Sequence, residues 1–283
     1  MEVIDFLQQV FKLTKVKDFI SKSSERERKP NEKYKSWIGF NYRQNKLDSV
    51  KLYFAFYDEL SPEFISSLFS EEQTRLFFRD YKKRNLEAIT SSYEFGSGFA
   101  IGLKIDTELN VTTAFGYNLI LEKEDSYFLS EQGVQLSDTM PHKGVYHHFM
   151  KGMAYEKKYY YIKNQELILK KLEEVKMPKP MTVPILEVGF GKGFYKNSSP
   201  LDEKYILLGN YEEVFKNFIT NNIAFNALKS AFHTLEKQIG VEGFCPGIYQ
   251  NQKVQSFYIG YKENGVVYFD TIERIAAKLT EEK

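Results

Sequence analysis

The apolar positions of this chain follow a helical period near its start and a strand period after it. Residues 3–20 carry apolar side chains at spacings of three and four between Ile4 and Leu13, which predicts an amphipathic helix. The segment 21–35 is polar and charged, and it predicts an exposed connection. From Trp37 onward, apolar and polar residues alternate in short runs, which indicates β-strands.

The strand-like runs come in pairs, and each pair lies next to a helical segment. Serine followed by proline at residues 61–62 marks one helix start, because serine caps a helix and proline fits its first turn. The dipeptide at 264–265, Asn-Gly, marks a tight hairpin. The predicted strands cover residues 37–42, 50–57, 98–105, 111–121, 152–155, 158–162, 183–189, 205–208, 247–250 and 254–262, followed by 266–269. The later predicted helices cover residues 71–84, 165–175, 212–219, 224–239 and 271–279.

The loops within each pair of strands are short, which predicts antiparallel pairing because parallel strands need longer crossovers. A row of about ten antiparallel strands has two exposed edges, and closure into a barrel removes them. We therefore predict an α+β fold, a closed antiparallel barrel of about ten strands built from five strand–strand–helix units, with the helices outside. An open α+β sheet is the alternative.

The composition predicts a single domain over residues 1–283, in which residues 1–35 supply an N-terminal helix and linker. Hydrophobic residues make up 42% of the chain and aromatic residues 16%, which is enough for a sizeable core. The 39 lysines and arginines nearly balance the 38 acids, so the net charge gives no general attraction to nucleic acid. We expect no nucleic acid among its partners.

Cysteine content and hydropathy predict the location of the protein. Cys245 is the single cysteine, which excludes an internal disulfide and fits a reducing compartment. Residues 1–5 lack the features of a signal peptide. No apolar run approaches the roughly 20 residues that span a bilayer. The sequence therefore predicts a cytoplasmic protein without a membrane span.

Lysine and tyrosine recur two residues apart on the predicted strands, and such residues share one face of a strand. Lysines neutralise a diphosphate and phenols donate hydrogen bonds to its oxygens, while aromatic faces stabilise cations. A barrel with these side chains inside would suit a diphosphate; the alternative is that they face solvent between the helices. No catalytic residue is assigned. The candidates for binding diphosphate or shielding a cation are Lys51, Tyr53, Lys104, Lys157, Tyr159 and Tyr258.

The succession of strand–strand–helix units resembles the aromatic prenyltransferases of the ABBA, or PT-barrel, family. Residues 50–54 (Val-Lys-Leu-Tyr-Phe) look like the Lys-x-Tyr strand of that family, and residues 156–160 (Glu-Lys-Lys-Tyr-Tyr) are similar to its later cation–x–Tyr strand. Residues 267–274 resemble the closing strand and helix of the bacterial members. The resemblance covers nearly the whole chain. The acid that indole-type members place near the acceptor has no assigned position here.

This resemblance implies an enzyme that ionises a prenyl diphosphate and transfers the allyl group to an electron-rich aromatic ring, on a small molecule or a peptide. It implies that the six candidate residues bind the diphosphate or shield the cation. It also implies that no cofactor is required, since lysines can take the place of Mg²⁺, although Mg²⁺ stays possible. The acceptor, the prenyl length and the oligomeric state are left open.

Two other functions fit parts of the sequence. A non-catalytic barrel that binds a hydrophobic ligand or a protein would use the same aromatic interior. The string at 185–193 (Ile-Leu-Glu-Val-Gly-Phe-Gly-Lys-Gly) resembles the first motif of methyltransferases that use S-adenosylmethionine, but the helix and acidic strand that such a motif needs do not follow. We expect a bent strand that binds no nucleotide. His142, His147 and His148 are expected in a surface loop without a metal.

Overall fold

The computed structural model describes residues 3–24, 34–43, 46–56, 61–81, 99–150, 153–174, 185–192, 202–208, 244–249, 254–259, 261–263, 266–268 and 271–281. The predicted helices at 212–219 and 224–239 lie outside these residues. Within the described residues, seven α-helices, one short 3-10 helix and twelve strands follow one another.

The N-terminal apolar stripe forms two helices where the sequence predicts one. Helix α1 spans Val3–Lys12 and α2 spans Thr14–Ser24, with a bend at Leu13 between them. Ser61 caps the next helix by accepting a hydrogen bond from the Phe64 N–H at 3.1 Å, as the sequence predicts. The other helices are α3 (Pro62–Leu68), α4 (Glu71–Tyr81), α5 (Lys123–Glu131), α6 (Gln165–Glu174) and α7 (Thr271–Glu281). None of the described helices is long and apolar enough to cross a lipid bilayer.

Ten of the strands belong to one sheet. The short strands β11 (Tyr261–Glu263) and β12 (Val266–Tyr268) pair separately, on either side of the predicted Asn-Gly turn. The strands of the large sheet are β1 (Tyr34–Arg43), β2 (Lys46–Phe56), β3 (Phe99–Asp106), β4 (Val111–Ile120), β5 (Thr139–Met150), β6 (Met153–Ile162), β7 (Ile185–Lys192), β8 (Asp202–Leu208), β9 (Phe244–Tyr249) and β10 (Val254–Ile259).

All the described pairings in the large sheet are antiparallel, and all except the β1–β10 pairing join strands that follow one another in the sheet's chain order. Strand β1 pairs with β2 on one side and with β10 on the other, so the order of pairing returns to its start. The prediction of an α+β fold with a curled antiparallel sheet and surrounding helices is therefore confirmed.

The helices cover one face of the curled sheet. Phe54 of β2 meets Phe19 of α2 edge to face, with ring centroids 5.5 Å apart. Phe115 of β4 meets Phe77 of α4 in the same way at 5.2 Å, and Tyr160 of β6 stacks on a phenylalanine of α5. Because successive residues of a strand point to opposite faces, their sequence neighbours lie on the other face, which we call the inner face.

Strand β5 corrects the sequence prediction, which placed two short strands within residues 152–162 and a surface loop before them. His142, His147 and His148 all lie in β5 and are only 1%, 5% and 7% exposed. Burial of a polar ring requires hydrogen-bonding partners, and His147 Nε2 lies 2.8 Å from Tyr117 Oη. The two long strands β5 and β6 replace the predicted loop and short strands.

A buried ionic cluster holds α5 to the sheet. Lys143 Nζ of β5 donates to Asp125 Oδ2 of α5 at 2.5 Å, and Tyr160 Oη donates to Asp125 Oδ1 at 2.8 Å. Burial by itself raises the pKa of Asp125, but hydrogen bonds from Lys143, the Glu122 N–H and Tyr160 lower that pKa overall. Lys143 and Tyr160 therefore point toward the helix, and their sequence neighbours lie on the inner face.

Candidate functional site

Two lysines of the inner face are directly opposed on neighbouring strands. Lys51 of β2 pairs in register with Lys104 of β3 and, on its other side, with Gly39 of β1. Lys51 is 6% exposed, whereas the Lys104 side chain is 24% exposed and its Nζ lies 3.9 Å from Asp48 Oδ2. Directly opposed side chains of antiparallel strands are close, and like charges there repel each other. A bound anion would relieve that repulsion.

Neutral polar side chains extend this charged region toward the β1–β2 connection. Asn41 Nδ2 of β1 donates to Ser49 Oγ of β2 at 2.8 Å, and the two residues are opposed in register. Ser49 Oγ in turn donates to Asp48 Oδ2 at 3.2 Å. We call Asn41, Ser49, Lys51 and Lys104 the lysine end of the inner face, since they combine ammonium groups with hydrogen-bond donors.

Beyond the lysine end, the inner face becomes aromatic. The Tyr53 ring of β2 stacks on Trp37 of β1, with centroids 5.4 Å apart and planes 25° apart. Tyr53 also packs with Ala100 and Ala114, and Tyr146 packs against the same group. We call these five residues the aromatic patch. A charged region is therefore followed directly by an apolar, aromatic one along a single strand.

Gly102 of β3 allows the Tyr53 ring to lie against the backbone. The two residues are opposed in register. A Cβ on Gly102 would lie 2.6 Å from Tyr53 Cε1 and 2.9 Å from Leu52 O, both far inside van der Waals contact. Any larger residue at this position would displace the ring, so the glycine fixes the place of Tyr53 beside Trp37.

The remaining predicted residues lie at inner-face register positions of other strands. Tyr159 of β6 is 7% exposed, and its ring meets Tyr146 of the aromatic patch edge to face at 5.3 Å. Lys157 pairs in register with Tyr146, and Tyr258 pairs with Gly39, the residue opposite Lys51. Only the strand register is described for Lys157 and Tyr258. The fold thus brings Lys51, Tyr53 and Lys104 together and joins Tyr159 to the same face.

A third group of inner-face side chains lies on β4, β5 and β6. Tyr161 Oη is 3.5 Å from Asn118 Oδ1, and the Tyr161 and His142 ring centroids are 5.2 Å apart. Asn118, His142 and Tyr161 are 4%, 1% and 5% exposed. Burial lowers the pKa of His142 to about 4, so the imidazole is uncharged at neutral pH. We call these three residues the neutral cluster.

Sequence reasoning missed several inner-face residues, among them Trp37, Asn118 and His142. Trp37 could have been found, because it has the same strand parity as Gly39 and Asn41 in the sequence. Asn118 and His142 could not, because their proximity depends on the register between β4 and β5, which no local pattern specifies.

The glycine-rich string lies in β7, which pairs antiparallel with both β6 and β8. Rossmann-type methyltransferases instead place this motif at the end of a parallel strand. Gly189 and Gly191 pair in register with Tyr159 and Lys157, so these glycines lie opposite candidate ligand-binding positions. That the string binds no nucleotide stays a prediction.

Comparisons with known proteins give a distant structural similarity. No protein-family model matches the chain, and no curated protein matches its sequence. Among solved structures, the fold is similar to the crystal structure of 5-dimethylallyltryptophan synthase from Streptomyces coelicolor, with a TM-score of 0.46. The similarity covers 92% of this chain and 95% of that chain, with 9% identical residues. At so low an identity, the site has to be understood from its own side chains.

Proposed function

We propose that this protein is an aromatic prenyltransferase, which transfers the allylic group of a prenyl diphosphate to an electron-rich aromatic acceptor. The opposed pair Lys51 and Lys104, next to the aromatic patch, is the observation that supports this function most directly. A prenyl diphosphate has the same order of groups, a charged head followed by an apolar tail. In this proposal the ten strands form a closed barrel of the prenyltransferase type, and the inner face encloses its lumen.

The reaction breaks the bond between the allylic carbon and the diphosphate oxygen. The diphosphate leaves with the bonding electrons, a ring carbon of the acceptor attacks the allyl cation, and the ring then loses a proton to restore aromaticity. Lys51 and Lys104 stabilise the charge that develops on the leaving group. The faces of Tyr53 and Trp37 stabilise the cation. Burial of the site keeps out water, which would otherwise capture that cation.

The other candidate residues have roles that follow from their register positions. We propose that Lys157, whose register partner is Tyr146 of the aromatic patch, and Tyr258, whose register partner is Gly39, also bind the diphosphate or shield the cation. Tyr159 shields the cation together with Tyr146. We propose that these lysines take over the charge neutralisation for which other enzymes use Mg²⁺, so that transfer proceeds without the metal.

Product analysis tests the proposal directly. The purified protein is incubated with dimethylallyl, geranyl or farnesyl diphosphate and a panel of indoles, phenols, naphthols and an aromatic peptide, with Mg²⁺ or with EDTA. We expect a prenylated product by mass spectrometry in both media, and its loss in Lys51→Ala/Lys104→Ala. Saturable binding of the diphosphate without any product would support a non-catalytic ligand-binding barrel. Absence of diphosphate binding would contradict the transferase function and leave the alternative of a barrel that binds another hydrophobic ligand or a protein.

A further inference from the structure

Strand β4 passes all three regions of the inner face in order. Thr112 pairs in register with Lys104 of the lysine end, Ala114 belongs to the aromatic patch, and Asn118 belongs to the neutral cluster. Six residues of a strand span about 20 Å. A diphosphate held at the lysine end therefore does not reach the neutral cluster, so these three side chains do not belong to the diphosphate site.

The neutral cluster lies on the inner face because its sequence neighbours contact the helices. Tyr117 meets Phe77 of α4, while Lys143 and Tyr160 bind Asp125 of α5. Strand alternation then directs the next side chains to the opposite face. Those side chains are the ones of Asn118, His142 and Tyr161.

Gly144 of β5 brings two members of the cluster together. It pairs in register with Asn118 on one side and with Tyr159 on the other. A Cβ on Gly144 would lie 2.8 Å from Tyr161 Oη and 3.4 Å from Asn118 Oδ1. Without a Cβ there, the phenol of Tyr161 extends across β5 to the amide of Asn118. The backbone is therefore arranged so that a hydroxyl, an amide and an imidazole meet in one buried place.

The three side chains offer hydrogen bonds without charge. The amide and the neutral imidazole each carry both a donor and an acceptor, and the phenol can act as either. We propose that Asn118, His142 and Tyr161 form the subsite that orients the acceptor, by hydrogen bonding to an uncharged hydroxyl or ring N–H of the aromatic substrate. This inference rests on the proposed transferase function, and it names the residues that decide which ring carbon faces the allyl cation.

The same chemistry selects the class of acceptor. A carboxylate placed against the described side chains of the cluster would be desolvated without an opposite charge, which costs several kcal/mol, and the register partner of Tyr161 on β7 is the acidic residue Glu187. An apolar aromatic of the same size would gain no hydrogen bond from the cluster. Aromatics that carry a hydroxyl or N–H and no carboxylate are therefore the expected acceptors.

A pair of probes of equal size tests the subsite without any turnover. Binding of 2-naphthol and of 2-methylnaphthalene to the full chain is measured by ligand-observed NMR. We expect the naphthol to bind about tenfold more tightly, as one net hydrogen bond of about 1.4 kcal/mol requires. Tyr161→Phe and His142→Phe should each reduce the ratio of the two dissociation constants from about tenfold to about twofold or less. Tyr161→Phe removes a single oxygen atom, so it tests the subsite even where the histidine variant fails to fold.

The matched control is His147→Phe, the same substitution on the same strand but on the helix-covered face. It should keep the tenfold ratio, with correct folding verified by circular dichroism. Equal binding of both probes to the unaltered protein would overturn the proposal, and so would a ratio that Tyr161→Phe leaves unchanged.

Turnover then separates this inference from the proposed function. If 2-naphthol is preferred but no prenyl diphosphate gives a product, the transferase function fails and the hydroxyl-binding subsite stands. If 2-naphthol is prenylated, Tyr161→Phe should raise the KM for the naphthol about tenfold and change the ratio of regioisomers, with the KM for the diphosphate unchanged. Unchanged KM and regioisomers would overturn the subsite while the transferase function stands.

Discussion

Lys51 and Lys104 face each other across the β2–β3 pair, on the side of the sheet that the described helices do not cover. Lys104 Nζ lies 3.9 Å from Asp48 Oδ2, and Lys51 is the more deeply buried of the two lysines. Like charges that are directly opposed repel each other, and in the proposed function a bound diphosphate would turn the same arrangement into an attraction.

Lys51→Ala should therefore weaken prenyl diphosphate binding without harming the fold. Loss of one charge-assisted contact costs about 1.5–3 kcal/mol, or roughly ten- to a hundredfold in Kd. The melting temperature should change little, because the loss of side-chain packing is offset by relief of the repulsion with Lys104. Calorimetric titration with geranyl diphosphate gives the Kd, and circular dichroism gives the melting temperature.

Lys46→Ala is the matched control for this change. Lys46 begins the same strand and is exposed, so its removal should alter the Kd less than about twofold, which is the size of a screened surface effect. An unchanged Kd in Lys51→Ala would contradict the assignment of the diphosphate site.

Gly102→Ala should disturb the aromatic patch through Tyr53. The new methyl group would overlap the Tyr53 ring and press on Leu52 O, and such overpacking costs about 1–3 kcal/mol of unfolding free energy. In a Tyr53→Ala background the ring is absent, so the cost of Gly102→Ala should be smaller. Urea unfolding of the four proteins measures this coupling. Additive costs would show that the ring does not lie on Gly102.

Fluorescence gives a second measurement of the same change. Trp37 is the single tryptophan of the chain and stacks on Tyr53. Displacement of the Tyr53 ring should shift the Trp37 emission in folded Gly102→Ala, under conditions where circular dichroism shows no unfolding. An emission spectrum equal to that of the unaltered protein would contradict the displacement.

The sequence predicts that apolar and polar side chains lie on opposite faces of β2, but it does not predict which face the helices cover. Val50, Leu52 and Phe54 on one side and Lys51 and Tyr53 on the other follow from parity alone. Which side faces the helices depends on α1 and α2, whose apolar stripe is apparent in the sequence but whose docking position is not. The contact between Phe54 and a phenylalanine of α2 decides it, and Phe56 meets Phe64 of α3 on the same side.

Strand β5 could not be predicted from the sequence, because its residues do not alternate between apolar and polar. Its helix-covered positions include Lys143 and His147, and its inner-face positions include His142 and Gly144, so no hydrophobic alternation is present. Lys143 is tolerated there because Asp125, distant in sequence, supplies an opposite charge, and Glu122 supplies a second one at 3.4 Å. Tertiary partners override the local pattern at this strand, and the polar strand was therefore mistaken for a loop.

Lys143→Met should destabilise the protein far more than the loss of an exposed lysine would. The Asp125 carboxylate would stay buried without its cation, which costs about 3–5 kcal/mol. In Lys143→Met/Asp125→Asn neither member of the ion pair is charged, and the single asparagine oxygen can still accept either from Tyr160 or from the Glu122 N–H, which bond to different oxygens of Asp125. The double variant should thus be more stable than Lys143→Met in urea unfolding. The reverse order would show that the ion pair does not hold α5 to the sheet.

His142 should make the stability of the fold depend on pH in the mildly acidic range. Its pKa is lowered by burial from 6.5 to about 4 in the folded protein, whereas in the unfolded chain it keeps its ordinary value. Between these two pH values the unfolded state binds more protons than the folded state, so the free energy of unfolding falls as the pH falls. The fall is at most about 1.4 kcal/mol per pH unit for one group.

Urea unfolding of the unaltered protein and of His142→Phe at several pH values between about 4 and 7 measures this contribution, because the other titrating groups cancel in the difference. At pH 7 His142 is largely neutral in both the folded and the unfolded state. The difference in unfolding free energy between the unaltered protein and His142→Phe at that pH therefore reports packing alone. Below pH 6.5 the unaltered protein should lose stability faster than His142→Phe, and the two curves should become parallel again near pH 4, where the folded His142 also takes up its proton. Parallel curves over the whole range would mean that the imidazole reaches water and keeps its ordinary pKa, which would contradict the burial of His142 within the neutral cluster.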